Sequence, residues 1–526
     1  MQNQEFHMDS SCKRDVAANQ LQSYRSNNEP ILMTSLSGMP IGDKVYSLTA
    51  GSRGPLLLHD SCLLDELGQF NQEKIPERCS YSKGTGAFGI FQCTTDLGST
   101  LTRANFLDTK NKQTPIAMRF SRFRSELGSS DTVRDLRGMS IRFYTDCGNL
   151  DLICNHLPIF FIRDPILYPS LVHSQKRNPV TNLFDYDAYW DFLTLRPETT
   201  HCLLLLYSHR GIPNGYRYMN GYSVNTYKFL TRDNNDTSYV RFHIKSNQGI
   251  NSIDPTRASM LAGTDCDYAT RDLYNTICLN KDLPSWTVCI QQMTEQEMKN
   301  CLFDPFDTTK VWPKTYYPLI SLGTLTLNRL PTNHFSEIEQ LAFSPANLVP
   351  GIEFTHDKML QARVFAYSDA QRYRLGKNYA QLPVNRPLNP SANNHRDGFM
   401  CLNNQNGAPT YFPNSFHGAT TSYRFKESIY SIEGNVARYE CSNDSDEFSQ
   451  AKTFYRQILN VDERIDLARN LAKSLILTQQ FIRKRALENF SFVDQDLTNK
   501  IQHFLDLQQS IQTKDTEIQT EPERNL

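Results

Sequence analysis

The sequence predicts an α+β chain built around an antiparallel β-barrel or sandwich, and three observations carry that prediction. Residues 85–330 hold many short β-like runs, among them Ile90 to Cys93, Ile141 to Tyr144 and Tyr239 to Ile244, with turn signals between them. Residues 331–440 lack a regular period and are rich in Pro, Asn and Gly. Residues 450–508 repeat apolar side chains at helical spacing.

Taken in chain order, residues 1–30 are rich in Asn, Gln and Ser and read as a mobile polar arm. Residues 31–84 lead from that arm into the first strands. Within 85–330 the turns fall at stretches such as Asp146 to Asn149 and Asn234 to Asp236. A patternless stretch as long as 331–440 is unusual inside a compact domain. Its aromatics, Phe365, Tyr367, Tyr373, Tyr379, Tyr411, Phe412 and Phe416, argue that it wraps across a neighbouring surface. Residues 441–508 form a helical unit. In it Leu467, Leu471 and Leu475 share one face, as do Leu497, Ile501 and Phe504. Residues 509–526 read as a disordered tail, and no internal repeat is visible.

Composition excludes several classes of function. Hydrophobic residues make up 39% of the 526 residues, with 30 Phe and 25 Tyr, enough for a sizeable core. The net charge of -1 provides no basic field for nucleic acid or an anionic membrane. The longest apolar run, near Cys202 to Tyr207, is far too short to span a bilayer. Met1 to Ser11 has no apolar core of the kind a secretory signal needs. The 13 cysteines are odd in number and form no C-x-x-C pair. They read as reduced thiols in an intracellular compartment. The glycosylation matches at Asn235 and Asn489 are then chance matches.

Gly84 to Gly89 fits G-x-G-x-x-G, but the nucleotide motif needs a helix after it, and Ile90 to Thr94 reads as a strand. It is treated as a decoy. The stretch Arg363 to Gln371 (RVFAYSDAQ) is more informative. Its plain reading is a polar turn with one buried aromatic. Its sharper reading is a haem ligand, because Tyr ligates iron only when ionised. A phenol of pKa about 10 needs a neighbouring positive charge for that. On a helix, Arg363 and Tyr367 lie one turn apart on one face.

That stretch is similar to the proximal signature of the haem catalase family. Further matches lie at Val45 to Leu58, Thr132 to Asp135, Pro158 to Asp164, His173 to Pro179, Asp304 to Asp307, Val311 to Pro313, Arg396 to Gly398 and Gly407 to Pro409. The chain is identified as a divergent, animal-type member. The resemblance implies a haem b-bearing β-barrel, an extended N-terminal arm with the distal segment in 31–84, a wrapping segment, C-terminal helices and a homotetramer. It implies Tyr367 as the axial iron ligand and Arg363 as its charge partner. Arg78, Arg119 and Arg374 would hold the propionates, since the Arg fork suits a carboxylate. Asn155 would orient peroxide, and Ser121 would support the distal His.

The distal His itself is replaced. The family's E-R-x-x-H reads Glu77-Arg78-Cys79-Ser80-Tyr81 here. Neutral imidazole takes and returns a proton near pH 7, whereas a phenol is almost never a free base there. His156 is not expected to substitute, because it neighbours Asn155 on a strand-like stretch, 152–161, and would face the other way. Further departures are Phe123 in the channel, Ser80 beside the distal position, and Tyr168 for the Phe that packs on the haem. Leu171 replaces a nearby Phe, and Tyr216, Tyr218, Asn225 and Tyr373 stand where close animal relatives carry His. Read together they suggest a cluster of changes around the distal side, the alternative being that some of these Tyr residues simply pack.

His201, Ser208, Arg210, Asn220, Lys245 and Trp312 match the NADPH site of several family members, with Leu205 and Lys314 as departures. The alternative is a retained surface with no ligand. The ending Arg524-Asn525-Leu526 resembles a weak peroxisomal signal, so peroxisome and cytoplasm both stand. The functional expectation is a catalase reaction, hydrogen peroxide to water and oxygen, severely reduced by Tyr81. The alternatives are a non-catalytic haem protein or a peroxidase-like enzyme acting on another hydroperoxide.

Overall fold

The computed structural model describes residues 20–520 apart from 97, 233–235, 280–281 and 440–445. The first part of the predicted arm, the Asn235 match and the Arg524-Asn525-Leu526 ending lie outside the described residues. Eight antiparallel strands close on one another: β1 (Gly84–Cys93), β2 (Gln113–Arg122), β3 (Arg137–Thr145), β4 (Gly148–Asn155), β5 (Gly221–Tyr222), β7 (Thr237–Ser246), β8 (Ser285–Thr294) and β9 (Ile320–Arg329). The circuit runs β7-β5-β4-β3-β2-β1-β9-β8, and β8 pairs back onto β7. Closure leaves no open edge in this circuit. Two short strands, β6 (Tyr227–Leu230) and β10 (Ile352–Glu353), extend it beside β7. Of the barrel and sandwich alternatives, the barrel is the one formed.

The glycine motif lies inside β1 and serves packing. A Cβ on Gly86 would sit 2.4 Å from the Met118 carbonyl oxygen, and one on Gly89 would sit 1.9 Å from that of Thr326. Only glycine lets the neighbouring strands approach this closely.

One core fills the barrel around Phe91, Phe120, Phe143, Leu152 and Trp286. A second lies between the helices Tyr186–Thr194 and Thr200–Tyr207 and the C-terminal helices Val461–Leu475, Gln480–Val493 and Gln495–Thr520. The predicted faces are there: Leu467, Leu471, Leu475, Leu497 and Ile501 are buried, while Phe504 is only half-buried. Asn460 and Glu463 form a capping box that starts the Val461–Leu475 helix.

Three sequence expectations need correcting. The segment 331–440 is not irregular throughout, since an 18-residue helix, Lys358–Leu375, runs through it. Its inward positions include the polar Gln371 and Arg374, both buried, so no apolar period announces it. The Gln495–Thr520 helix crosses the expected start of the tail at 509, since extending an existing helix costs little. Within the polar arm, Gln20–Asn27 is helical.

One buried ion pair fixes the wrapping segment to the barrel. Arg142 on β3 donates to Asp151 on β4 through Nε at 2.8 Å and Nη2 at 2.7 Å. Asp151 also accepts from the Ser344 amide at 2.9 Å and Asn347 Nδ2 at 2.8 Å. Removing one partner of such a pair strands a buried charge. Asp151→Ala is therefore expected to destabilise the fold by about 3–5 kcal/mol, read as a lowered urea midpoint. An unchanged midpoint would contradict this account of the anchor.

Candidate functional site

The proximal side is set by the Lys358–Leu375 helix, whose first turn is capped by Asp357 accepting from the Leu360 amide. Arg363 and Tyr367 lie one turn apart as expected, with the guanidinium carbon 5.3 Å from the phenol ring centre. Burial opposes the Arg363 charge, yet the Tyr367 and Tyr227 phenols outweigh it and raise its pKa above the usual value. Arg363 Nη1 donates to Asn225 Oδ1 and Nη2 to the Ile153 carbonyl at 3.2 Å. Asn225 Nδ2 in turn donates to Asp357 at 2.8 Å. The helix cap, Asn225, Arg363 and Tyr367 thus form one chain of contacts. Tyr367 packs against the cluster of Phe88, Ile153, Ile338 and Phe343.

The distal side is set where the chain enters β1. Tyr81 has φ 61°, in the left-handed region that a bulky residue rarely adopts. The Phe123 carbonyl accepts its amide at 3.1 Å, and Arg119 Nη1 donates to its carbonyl at 3.1 Å. The backbone is thus held from both sides. The Tyr81 hydroxyl donates to Asn155 Oδ1 at 2.9 Å. Asn155 ends β4. Burial holds the Tyr81 phenol well above its ordinary range, and Tyr168 and Tyr367 add to the shift. The Tyr81 ring lies over Gly138. A Cβ there would fall 3.0 Å from Tyr81 Cδ1 and 2.8 Å from Ser121 Oγ. Ser121 is therefore beside the ring, but the phenol reaches Asn155 rather than Ser121.

Phe123 joins an aromatic cluster, its ring centre 5.2 Å from Tyr81, 6.0 Å from Phe160 and 6.4 Å from Tyr168. Ser80 and Tyr168, which read as separate departures in the sequence, share a hydrogen bond of 2.8 Å. His156 turns away from this site. It lies just past the end of β4 rather than within a longer strand. Its Nδ1 accepts from the Arg137 amide at 2.9 Å, so Nε2 carries the proton that faces the Arg210 carbonyl at 3.1 Å. Burial, helped by the Arg137 charge, pushes its pKa down to about 3.

A third group of residues gathers positive charge. Arg78 Nη1 and Arg374 Nη2 both donate to Glu339 Oε1, at 2.9 Å and 3.1 Å. Arg119 donates to the Tyr81 and Ser82 carbonyls, and its Nε is buried without a partner. Burial first, and the Arg78 charge next, pull the Arg119 pKa well below its ordinary value. Arg374 falls to about 10 for the same two reasons. Three guanidinium groups around a single carboxylate leave excess positive charge, which suits an anionic group such as a propionate. The residues present therefore fit a haem: a Tyr with an Arg beside it, a distal polar pair and an unneutralised Arg cluster.

The expected distal cluster is smaller than the sequence suggested. Tyr216 is buried in the barrel core, stacked on Phe120 at 5.2 Å and bonded to Asp131. Tyr218 lies under the Arg217 guanidinium at 4.4 Å, and Tyr373 is exposed. Asn225 belongs to the proximal chain. Leu171 is core. Substitution type alone carries no direction in space, so these positions looked alike in the sequence. Glu339 was missed, because one acidic residue has no local signal of its two Arg partners.

The residues matching a nucleotide site fall into two groups. His201 and Arg210 both face Phe454, at 6.2 Å and 5.3 Å. Asn220 Nδ2 and Lys245 Nζ both donate to the Tyr222 hydroxyl, at 3.1 Å and 3.3 Å. Ser208 caps the turn at Arg210, and Trp312 Nε1 donates to the Pro305 carbonyl. His201 Nδ1 is buried without a partner.

Comparison with known proteins gives a consistent result. A family model described as Catalase matches residues 34–418, and one described as Catalase-related immune-responsive matches 442–505. The chain is 49% identical to a catalase of Ascaris suum, covering 92% of this chain and 90% of that protein. It is 48% identical to a catalase of Sus scrofa, covering 94% of each. Among solved structures, catalase A from Saccharomyces cerevisiae superposes with a TM-score of 0.87 at 40% identity, covering 90% of this chain and 99% of that one.

Proposed function

Because this chain belongs to the catalase family, which implies haem, we propose that it binds haem b through Tyr367 and decomposes hydrogen peroxide at a severely reduced rate. The observation that carries the second half is the Tyr81 hydroxyl donating to Asn155 Oδ1 at 2.9 Å. A group that must take a proton from peroxide is instead giving one to a neighbour.

In this reading Arg363 stabilises the Tyr367 phenolate by charge, and Arg78, Arg119 and Arg374 hold the propionates. Tyr168 packs on the cofactor face. Haem supplies the redox chemistry of peroxide decomposition. Asn155 Nδ2 orients the incoming oxygen atoms by hydrogen bonding, as its Oδ1 is occupied by Tyr81. Ser121 stands beside the ring but takes no part in proton transfer. Phe123 narrows the approach, which counts against a bulky hydroperoxide and favours a non-catalytic haem protein as the second reading. Oxygen release per bound haem tests the proposal. The expected rate is far below that of an ordinary catalase, and a rate equal to one would refute it.

The wrapping segment leaves Tyr411, Phe412 and Phe416 exposed, and Ile31 and Leu32 in the arm likewise. Large exposed apolar side chains gathered in these two segments ask for a partner. We assign it to a homotetramer, and sedimentation velocity at micromolar concentration should give that mass. A stable monomer would contradict the assignment. Among the described residues no helix is long and apolar enough to cross a membrane. The described cysteines are free thiols, in keeping with the peroxisome or cytoplasm. NADPH at the surface formed by His201, Ser208, Arg210, Asn220, Lys245 and Trp312 is a further part of the proposal, supported by the unpartnered His201 Nδ1 among basic neighbours.

A further inference from the structure

The distal polar groups divide sharply by what they offer a ligand. Asn155 spends its acceptor oxygen on the Tyr81 hydroxyl. Among the described residues its amide nitrogen has no hydrogen-bond partner, and it is not among the buried unpartnered atoms. The two N–H groups are therefore free to donate. The Tyr81 hydroxyl can accept a hydrogen bond but, already protonated and donating to Asn155, cannot take up a further proton. The other polar groups nearby are engaged away from the ligand. Tyr168 is tied to Ser80, and burial keeps its phenol protonated. Asp135 accepts from the Arg124 and Leu136 amides. His156 has both ring nitrogens engaged elsewhere. Arg363 is a permanent cation, bonded to Asn225.

We infer that this pocket favours small ligands with no proton to surrender, such as nitric oxide, over ligands that arrive as acids, such as hydrogen cyanide. This rests on the haem reading above and deepens it by naming the ligand class. The reason is mass balance. When an acid binds iron as its anion, the proton goes either to a distal base or to solvent. With a base the complex keeps the proton, and apparent affinity is flat with pH. Without one the proton is released. Affinity then rises about tenfold per pH unit below the acid's own pKa, as linkage requires. Nitric oxide brings no proton, so its affinity carries no such slope, and the Asn155 amide remains to donate to it.

The test uses the purified full-length holoprotein. Haem content is measured first, and cyanide and nitric oxide are then titrated by absorption spectroscopy from pH 6 to 8.5. Wild-type protein is expected to bind cyanide with a tenfold gain per pH unit and nitric oxide with none. Tyr81→His should flatten the cyanide slope, because imidazole retains the proton, and leave nitric oxide binding in place. A flat cyanide profile in haem-loaded wild-type protein would overturn the inference while leaving the haem reading intact. So would failure of the haem-loaded protein to bind nitric oxide. Protein that takes up no haem would overturn both readings together.

Discussion

Tyr81→His is expected to raise oxygen release from hydrogen peroxide by roughly 10²–10⁴-fold, the usual worth of a positioned acid–base group, at unchanged haem content. The site is prepared for this exchange. The backbone at 81 sits at φ 61°, where His is among the residues enriched and Tyr is not, so the substitution relieves backbone cost rather than adding it. The Phe123 carbonyl and Arg119 hold that conformation through main-chain atoms, which the side chain does not alter. Ser121 Oγ lies beside the ring position and is available to orient an imidazole. Asn155, released from the phenol, regains its acceptor. The measurement is initial oxygen evolution per haem for both proteins. If the variant gains nothing, proton transfer is not the limiting defect. The Phe123 cluster then becomes the better explanation, and Tyr81→His with Phe123→Val separates the two.

Tyr367→Phe is expected to abolish haem retention while leaving the fold in place. The phenol is the only group on the inward face of the Lys358–Leu375 helix that can present an anionic oxygen beside the Arg363 guanidinium. Phe keeps the ring that packs against Phe88 and Ile153 and removes only the oxygen. The haem-to-protein ratio after gel filtration should fall towards zero with the circular dichroism unchanged. Full haem occupancy in a folded Tyr367→Phe protein would show that another group ligates the iron. Arg363→Leu serves as a graded control. It should weaken haem binding by losing the charge, and it should also disturb the link through Asn225 to Asp357.

What was legible in the sequence follows from what each signal measures. Strand runs such as Tyr239 to Ile244 carry their own alternation and turn boundaries, and they lie in β7 as read. The Lys358–Leu375 helix was hidden because its signal is polar. Arg363, Tyr367, Gln371 and Arg374 recur at spacings of four, four and three, a helical period written in site residues rather than in Leu and Val. A search for polar periodicity would have found it. The Tyr81–Asn155, Ser80–Tyr168 and Arg78–Glu339 contacts join positions far apart in the chain. They depend on barrel closure and leave no local trace. Tyr216, Tyr218 and Tyr373 read in the sequence as departures from the resembled family, but where their side chains lie left no trace there.

The hydrogen bond between Ser80 and Tyr168 makes the two positions interdependent. Each hydroxyl is the other's hydrogen-bond partner. Tyr168→Phe alone leaves the Ser80 oxygen without its partner in a confined place. Ser80→Ala alone does the same to the phenol. Either single change costs about 1–3 kcal/mol, whereas replacing both partners together costs less. The two hydroxyls thus act as one unit of the pocket wall, and neither position can be exchanged alone without cost.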